Sequence, residues 1–301
     1  MAWRGLHITK PGRLSLADGQ IVVSQEADDV RIPLEDIGWI ILDDPRLTLT
    51  TALLSACAEN GVALINTDAR HMPSSLTLPF HRHHRQAAVA SQQVNLTLPF
   101  RKRCWQAIII AKIRNQAEVL DLHQRDHGDT LRTIAKRVNS GDPDNIEARA
   151  ARQYWSALFC DFIRDDPPDL RNKMLNYGYA VVRAIIARSL VGAGFVPCIG
   201  FHHTSQTNPF NLADDLIEPF RPFVDAMVFS LCVERGSLSD MTIDDRRKLA
   251  GLPLETARMN GAELSLLAAA ENCVTSLMRA MEAQEPASLT LPSIAAVGTV
   301  A

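Results

Sequence analysis

GFHHTSQTNPFNLADDLIEPFRPFVD, Gly200 to Asp225, sets how the rest of the chain is read. Two adjacent histidines, His202 and His203, lie in a turn-rich segment with Thr204, Ser205, Asn208 and Pro209. A helix is then expected with Asn211 as its N-cap. Asp215 and Glu218 follow at i and i+3, which places both on one helical face. Two carboxylates about 4 Å apart repel by roughly 4 kcal/mol at an effective dielectric near 20, so such a face needs a cation or a proton between the groups. An imidazole from the preceding turn could complete a site for a hard divalent metal. Surface helices also carry acidic residues at this spacing, and Arg221 lies three residues after Glu218.

Working outward, 301 residues suffice for one large domain or two ordinary ones, and a hydrophobic content of 47% supports a sizeable core. The six cysteines are scattered without CxxC spacing, which suits reduced thiols in a cytoplasmic protein better than a disulfide framework or a zinc ribbon. Met1 to Gly5 has no apolar signal core, and the most apolar long stretch, 181–201, is interrupted by Arg183 and Arg188. A cytoplasmic protein with no membrane association is expected.

The predicted fold class is α+β. Residues 1–68 read as short strands, with Asp18-Gly19 as a hairpin signal and 38–42 as a buried strand; Thr50 or Thr51 caps a short helix that Asn60-Gly61 ends. A linker is expected over 69–85, carrying His81-Arg82-His83-His84-Arg85, read as a basic solvated or phosphate-touching segment. From 86 to 283 the pattern is helical, including segments at 99–123, 145–163, 175–190 and 261–283, and 284–301 reads as a loose tail.

The net charge of −3 gives no global sign of nucleic-acid affinity, but its distribution is uneven. Between Arg82 and Arg152 thirteen Lys or Arg stand against seven Asp or Glu, a local excess of +6. A basic surface beside an acidic cluster is what a phosphodiester enzyme needs: cations hold the backbone while a metal acts on one phosphate.

Glu147 is the third acidic candidate, in the first turn of a helix, where the helix dipole also favours a carboxylate. Four stretches then fall in order: Asn145-Ile146-Glu147 with Ala150-Ala151-Arg152 and Tyr154-Trp155; Leu175-Asn176-Tyr177-Gly178-Tyr179; Gly200-x-x-His203; and Asp214 to Pro222. In this order the chain resembles the CRISPR-associated integrase and endonuclease of spacer acquisition, the first-numbered Cas protein, and most of all its branch from type II, single-effector systems. The likeness covers nearly the whole chain, including Arg31 to Ile37.

The resemblance implies an N-terminal β-sandwich that supplies dimer contact, a flexible linker and a larger all-α catalytic domain. It implies Glu147, His203 and Glu218 as catalytic metal ligands, with Asp215 at an accessory acidic position. The doubled histidine keeps His202 as an alternative to His203, although Gly-x-x-His spacing favours His203. Two carboxylates and an imidazole suit Mg²⁺ or Mn²⁺. The implied reaction is attack by a 3′-hydroxyl of captured double-stranded DNA (the protospacer) on a CRISPR repeat phosphodiester. Arg149, Arg152, Arg221 and the triplet Arg101, Lys102 and Arg103 are candidate DNA contacts, and Tyr177 and Tyr179 read as packing residues. The implied working unit is a heterohexamer of two homodimers bridged by the small second-numbered Cas protein. Two alternatives share the residues: a nuclease that cuts branched DNA in repair, and a DNA-binding adaptation scaffold without chemistry of its own.

Overall fold

Strands fill the first eighty residues because apolar and polar positions alternate between strong turn signals. The computed structural model describes residues 2–26, 28–80, 83–164, 166, 169–236 and 240–295. β1 (Arg4–Ile8), β2 (Arg13–Ala17), β3 (Gln20–Gln25), β4 (Asp28–Pro33), β5 (Ile37–Leu42), β6 (Thr48–Leu49), the helix α1 (Thr51–Asn60), β7 (Ala63–Thr67) and β8 (Pro73–Thr77) form the strand-rich half. Two sheets result, ordered β1-β5-β7-β8 and β4-β3-β2-β6. β5 runs parallel to β1 and β7, and β8 returns antiparallel to β7. Asp18 and Gly19 turn the β2–β3 hairpin with φ of 51° and 72°, the left-handed pair that a tight two-residue turn requires. Thr50 caps α1 by accepting from the Leu53 amide.

The two sheets face each other through Leu14, Ile21 and Val23 on one side and Ile37, Ile40 and Leu64 on the other, closed by Leu53 and Cys57 of α1. Alternate residues of the same strands, Trp39, Ile41, Ala63 and Ile65, belong to the large core of the helical half. The central sheet is therefore covered on both faces, which explains why β5 reads as an unbroken apolar run. Polar ties cross the same boundary. Trp39 Nε1 donates to the Ala250 carbonyl at 3.0 Å, and Arg188 Nε donates to the Gly61 carbonyl at 2.6 Å.

The helical half comprises α2 (Gln86–Val94), α3 (Leu98–Leu122), α4 (Gly128–Ala135), α5 (Ile146–Leu158), α6 (Leu170–Gly192), α7 (Asn211–Ile217), α8 (Arg221–Arg235), α9 (Ile243–Ala250) and α10 (Leu266–Ala283), with β9 (Thr256–Met259) and β10 (Ala262–Ser265) between the last two. α3 and α6 are its long central members. α3 packs on α4, α5 and α8, and α6 packs on α7, α8, α9 and α10.

Three expectations change here. Part of the stretch read as a linker is the strand β8, and Leu76 and Leu78 pack on the large core; His81 and Arg82 lie outside the described residues. The helical half carries one short hairpin: the last helix, expected from Gly261, begins at Leu266, and β9–β10 before it is turned by Asn260 and Gly261, at φ 53° and 80°. The C-terminal stretch is docked through Ile294, since Ser293 exchanges backbone hydrogen bonds with Arg258 and Ile294 donates to Asn115 Oδ1. The cysteines are free, Cys57, Cys104 and Cys273 buried and Cys160 and Cys198 exposed. No helix among the described residues is long and apolar enough to cross a membrane.

Candidate functional site

Glu147 is placed by the turn before α5. Asn145 takes a left-handed φ of 49° and accepts from the Ala148 amide, while the Asp142 carboxylate accepts from the Ile146 and Glu147 amides at 2.9 and 3.0 Å. With the first amides of the helix satisfied, the Glu147 side chain is left to face α3. There Lys112 Nζ donates to Glu147 Oε1 at 2.5 Å, and the same ammonium contacts Glu218 Oε2.

Glu218 is 4% exposed and begins a 3₁₀ turn, Glu218–Phe220, between α7 and α8. Its Oε1 accepts from Arg221 Nε at 2.8 Å. Its Oε2 lies against the Lys112 ammonium. Burial works against its ionisation, yet Lys112 and Arg221 outweigh that and hold the carboxyl at about 2. Burial likewise opposes the Lys112 charge, and Glu218 and Glu147 reverse it, raising the ammonium above its ordinary value.

Asp215 and Glu218, placed on one helical face by their i, i+3 spacing, bond different protein partners. The fully buried Asp215 carboxylate turns to the histidine loop, accepting from the backbone amides of Phe201, His202 and His203 and hydrogen bonding His203 Nδ1 at 2.7 Å. Asp215 therefore shapes the loop and sets the imidazole. That bond, ahead of the opposing effect of burial, raises the His203 pKa. With Nδ1 engaged, Nε2 is the nitrogen left to act as a ligand. Gly200 is needed for this approach, since a Cβ there would stand 2.5 Å from the His203 carbonyl oxygen and 2.7 Å from Asp215 Oδ2. Asn211 is not the N-cap; Phe210 precedes α7 without a side-chain cap. The Asn211 amide donates instead to the Cys198 and Ser205 carbonyls, cross-bracing the same loop.

The two histidines have different surroundings. His202 lies flat on Trp105, with centroids 4.1 Å apart and planes 2° from parallel, and His203 meets Trp105 edge-on at 5.7 Å. The structure brings Glu147 and Glu218 to one point and sets His203 where it feels the charge of Glu218. Among the described residues no three His, Cys, Asp or Glu side chains are grouped closely enough to hold a metal ion. The donor chemistry nevertheless fits a hard divalent ion, since two carboxylates converge on one cation and oxygen donors with one imidazole suit Mg²⁺ or Mn²⁺.

Behind the pair, Asp225 is buried and accepts from Tyr154 Oη at 3.0 Å and from Tyr179 Oη. Burial pushes its carboxyl up to about 6 against these bonds. The Arg221 guanidinium stands 4.6 Å from the Tyr179 ring centroid, so Tyr179 connects Asp225 to Arg221 and Glu218. Lys112, Glu218, Arg221 and Asp225 all line one cavity of about 240 Å³.

The sequence pattern described as "CRISPR associated protein Cas1" matches residues 6–251. The chain is 38% identical to the "CRISPR-associated endonuclease Cas1" of Neisseria meningitidis serogroup C, over 98% of this chain and 97% of that one. The chain belongs to the Cas1 family. Two solved structures share the fold. A casposase bound to integration product superposes with a TM-score of 0.75 at 21% identity, covering 94% of this chain and 91% of the other. A chain of a Cas6-RT-Cas1–Cas2 complex does so with a TM-score of 0.74 at 16% identity, covering 98% of this chain and 36% of the other.

In this Cas1-family chain, Arg149 and Arg152 are exposed on α5, the helix that carries Glu147, and Lys102 and Arg103 are exposed near the start of α3. Arg101 is half-buried, its Nε without a hydrogen bond, and Arg221 is engaged by Glu218. The site residues that sequence reasoning missed are Lys112, Tyr154, Trp105 and Asp225. A signal existed for two of them. Lys112 stands among Ile108, Ile109 and Ile113, and Asp225 among Phe223, Val224 and Val228, and a charge in an apolar stripe needs a buried partner.

Proposed function

We propose that this Cas1-family chain is a metal-dependent DNA endonuclease and integrase that inserts captured fragments into a CRISPR array. The observation that carries the reading is that Glu147 and Glu218, 71 positions apart in sequence, converge on the single Lys112 ammonium, beside a polar cavity that Lys112 and Glu218 line. Glu147, His203 and Glu218 would hold Mg²⁺ or Mn²⁺. When bound, the ion would lower the pKa of the attacking 3′-hydroxyl and neutralise charge on the repeat phosphate and its leaving oxygen. Asp215 keeps the His203 ring in one orientation and tautomer. His202, held against Trp105, borders the same loop. Arg221 fixes one Glu218 oxygen, and the other lies against the Lys112 ammonium. Fixed charges that need no rearrangement during reaction supply most of the rate.

Arg149 and Arg152, with Arg101, Lys102 and Arg103, would hold the phosphates of double-stranded DNA through shape and charge. The protein would act as a homodimer, two of which assemble with the small second-numbered Cas protein. The casposase structure bound to integration product and the Cas6-RT-Cas1–Cas2 complex, both of the same fold, support DNA and that partner.

The test is a strand-transfer assay with the partner Cas protein, a supercoiled repeat plasmid and a duplex bearing free 3′-hydroxyls. Mg²⁺ or Mn²⁺ should support joining, and Glu147→Gln or Glu218→Gln should reduce it by about a hundredfold or more. Joining at the native rate in both variants would defeat the catalytic reading and leave a DNA-binding scaffold. Cleavage of branched DNA without joining would favour a repair nuclease.

A further inference from the structure

We infer that Lys112 is the built-in counter-ion of the carboxylate pair: its ammonium holds Glu147 and Glu218 together in the metal-free protein and must leave when a divalent cation binds between them. The inference rests on the metal-binding reading above and adds a residue to it.

Three observations carry it. Lys112 reaches both carboxylates with one atom, so the ammonium sits at the point where their charges converge. Its side chain is only 12% exposed and rises from a stretch of α3 whose neighbours Ile109 and Ile113 are buried, so it has little water to turn to instead. The two carboxylates are already matched by two cations, Lys112 and Arg221. A divalent ion entering the same space would add two more positive charges within a few ångströms of the ammonium, in surroundings that screen poorly.

The two cations differ in how readily they move. Arg221 is fixed by its bond to Glu218 Oε1 and by its place over Tyr179. Lys112 touches Glu147 and Glu218 through one ammonium that can rotate, and it hangs on a flexible four-carbon stem at the wall of a cavity of about 240 Å³. Lys112 is therefore the displaceable partner. Metal affinity measured on the native chain is then the affinity of the ligands reduced by the cost of removing the ammonium.

Mn²⁺ binding to the full-length protein, followed through the electron paramagnetic resonance of free Mn²⁺, tests this, together with melting in chelator and in Mn²⁺. Lys112→Met and Lys112→Gln, which remove the repelling charge, should bind Mn²⁺ about tenfold or more tightly than the native chain, and Lys112→Arg should not. Both neutral variants should melt lower than native in chelator and gain more from added Mn²⁺. Affinity in the neutral variants that equals or falls below the native value overturns the inference. If Lys112→Met folds only with Mn²⁺ present, the two carboxylates need one cation or the other, as inferred; failure to fold even with Mn²⁺ in both neutral variants overturns it. Glu218→Gln separates the two ideas. If it abolishes Mn²⁺ binding while the Lys112 variants change nothing, only the counter-ion role fails. If Mn²⁺ binding is indifferent to Glu218→Gln, the metal site itself is wrong.

Discussion

Asp43 and Arg246 meet across the boundary between the strand-rich and helical halves, Arg246 Nε donating to Asp43 Oδ2 at 2.8 Å with both side chains buried. His7 Nε2 at 2.9 Å and His71 Nδ1 at 2.7 Å also bond this carboxylate, and Thr67 donates its hydroxyl at 3.0 Å. Asp43→Ala would strand the Arg246 charge out of water, so a loss of about 3–5 kcal/mol is expected, read as a lower urea midpoint. The pH dependence has a definite sign. Burial opposes ionisation of Asp43, but bonds from His7, Arg246 and His71 hold its carboxyl well below the ordinary 3.8. Its stabilisation is present above pH 4 and is lost as pH falls toward the folded value, so Asp43→Asn should flatten the acid limb of the stability curve.

Gly200→Ala tests whether the histidine loop must touch Asp215. The added Cβ meets a backbone carbonyl and a buried carboxylate, neither of which can withdraw cheaply. A cost of about 1–3 kcal/mol in stability is expected. Joining should fall by about a hundredfold because His203 is displaced. Native-like joining in this variant would show that the close approach is unnecessary.

Asp225 titrates in a window of its own. Its folded pKa of about 6 lies above the unfolded 3.8, so between these values the folded chain keeps a proton that the unfolded chain has lost. Stability contributed by that proton is present below pH 4 and is lost as pH rises through 6. Compared with Asp225→Asn, the native protein should lose about 3 kcal/mol across this range. Paired urea titrations from pH 4 to 7.5 measure the difference and cancel the other groups.

Arg149→Ala and Arg152→Ala should weaken DNA binding without altering the melting temperature, since both side chains are exposed. Removing one phosphate-binding charge should reduce the slope of log affinity against log salt by about one. Unchanged slopes would remove these arginines from the DNA interface.

What could be read from the sequence was local. Asp18-Gly19 and Asn60-Gly61 name their turns, and β5 declares its burial through an unbroken apolar run. The ordered motifs pointed to the Cas1 family, and the family match over residues 6–251 agrees with them. Readings failed where one residue had two possible local uses. Asn211 has the chemistry of an N-cap, but its amide is taken by two carbonyls of the preceding loop. Asn260-Gly261 is a strong hairpin signal, yet the helix-like pattern beyond it drew the segment into α10. Asp215 and Glu218 share a helical spacing, but a 3₁₀ turn begins at Glu218 and the two carboxylates serve different partners. The contacts of Lys112 with Glu147 and Glu218, and of Asp43 with Arg246, join residues that only the folded chain brings together.

The sheet with two covered faces has a consequence for how the molecule comes apart. Peeling the strand-rich half away would uncover Trp39, Ile41 and Ile65 together and tear out the Asp43–Arg246 pair, so neither half has a cheap existence alone. Thermal denaturation should accordingly proceed as one cooperative event, and a protease cutting near residue 80 would release no durable fragment.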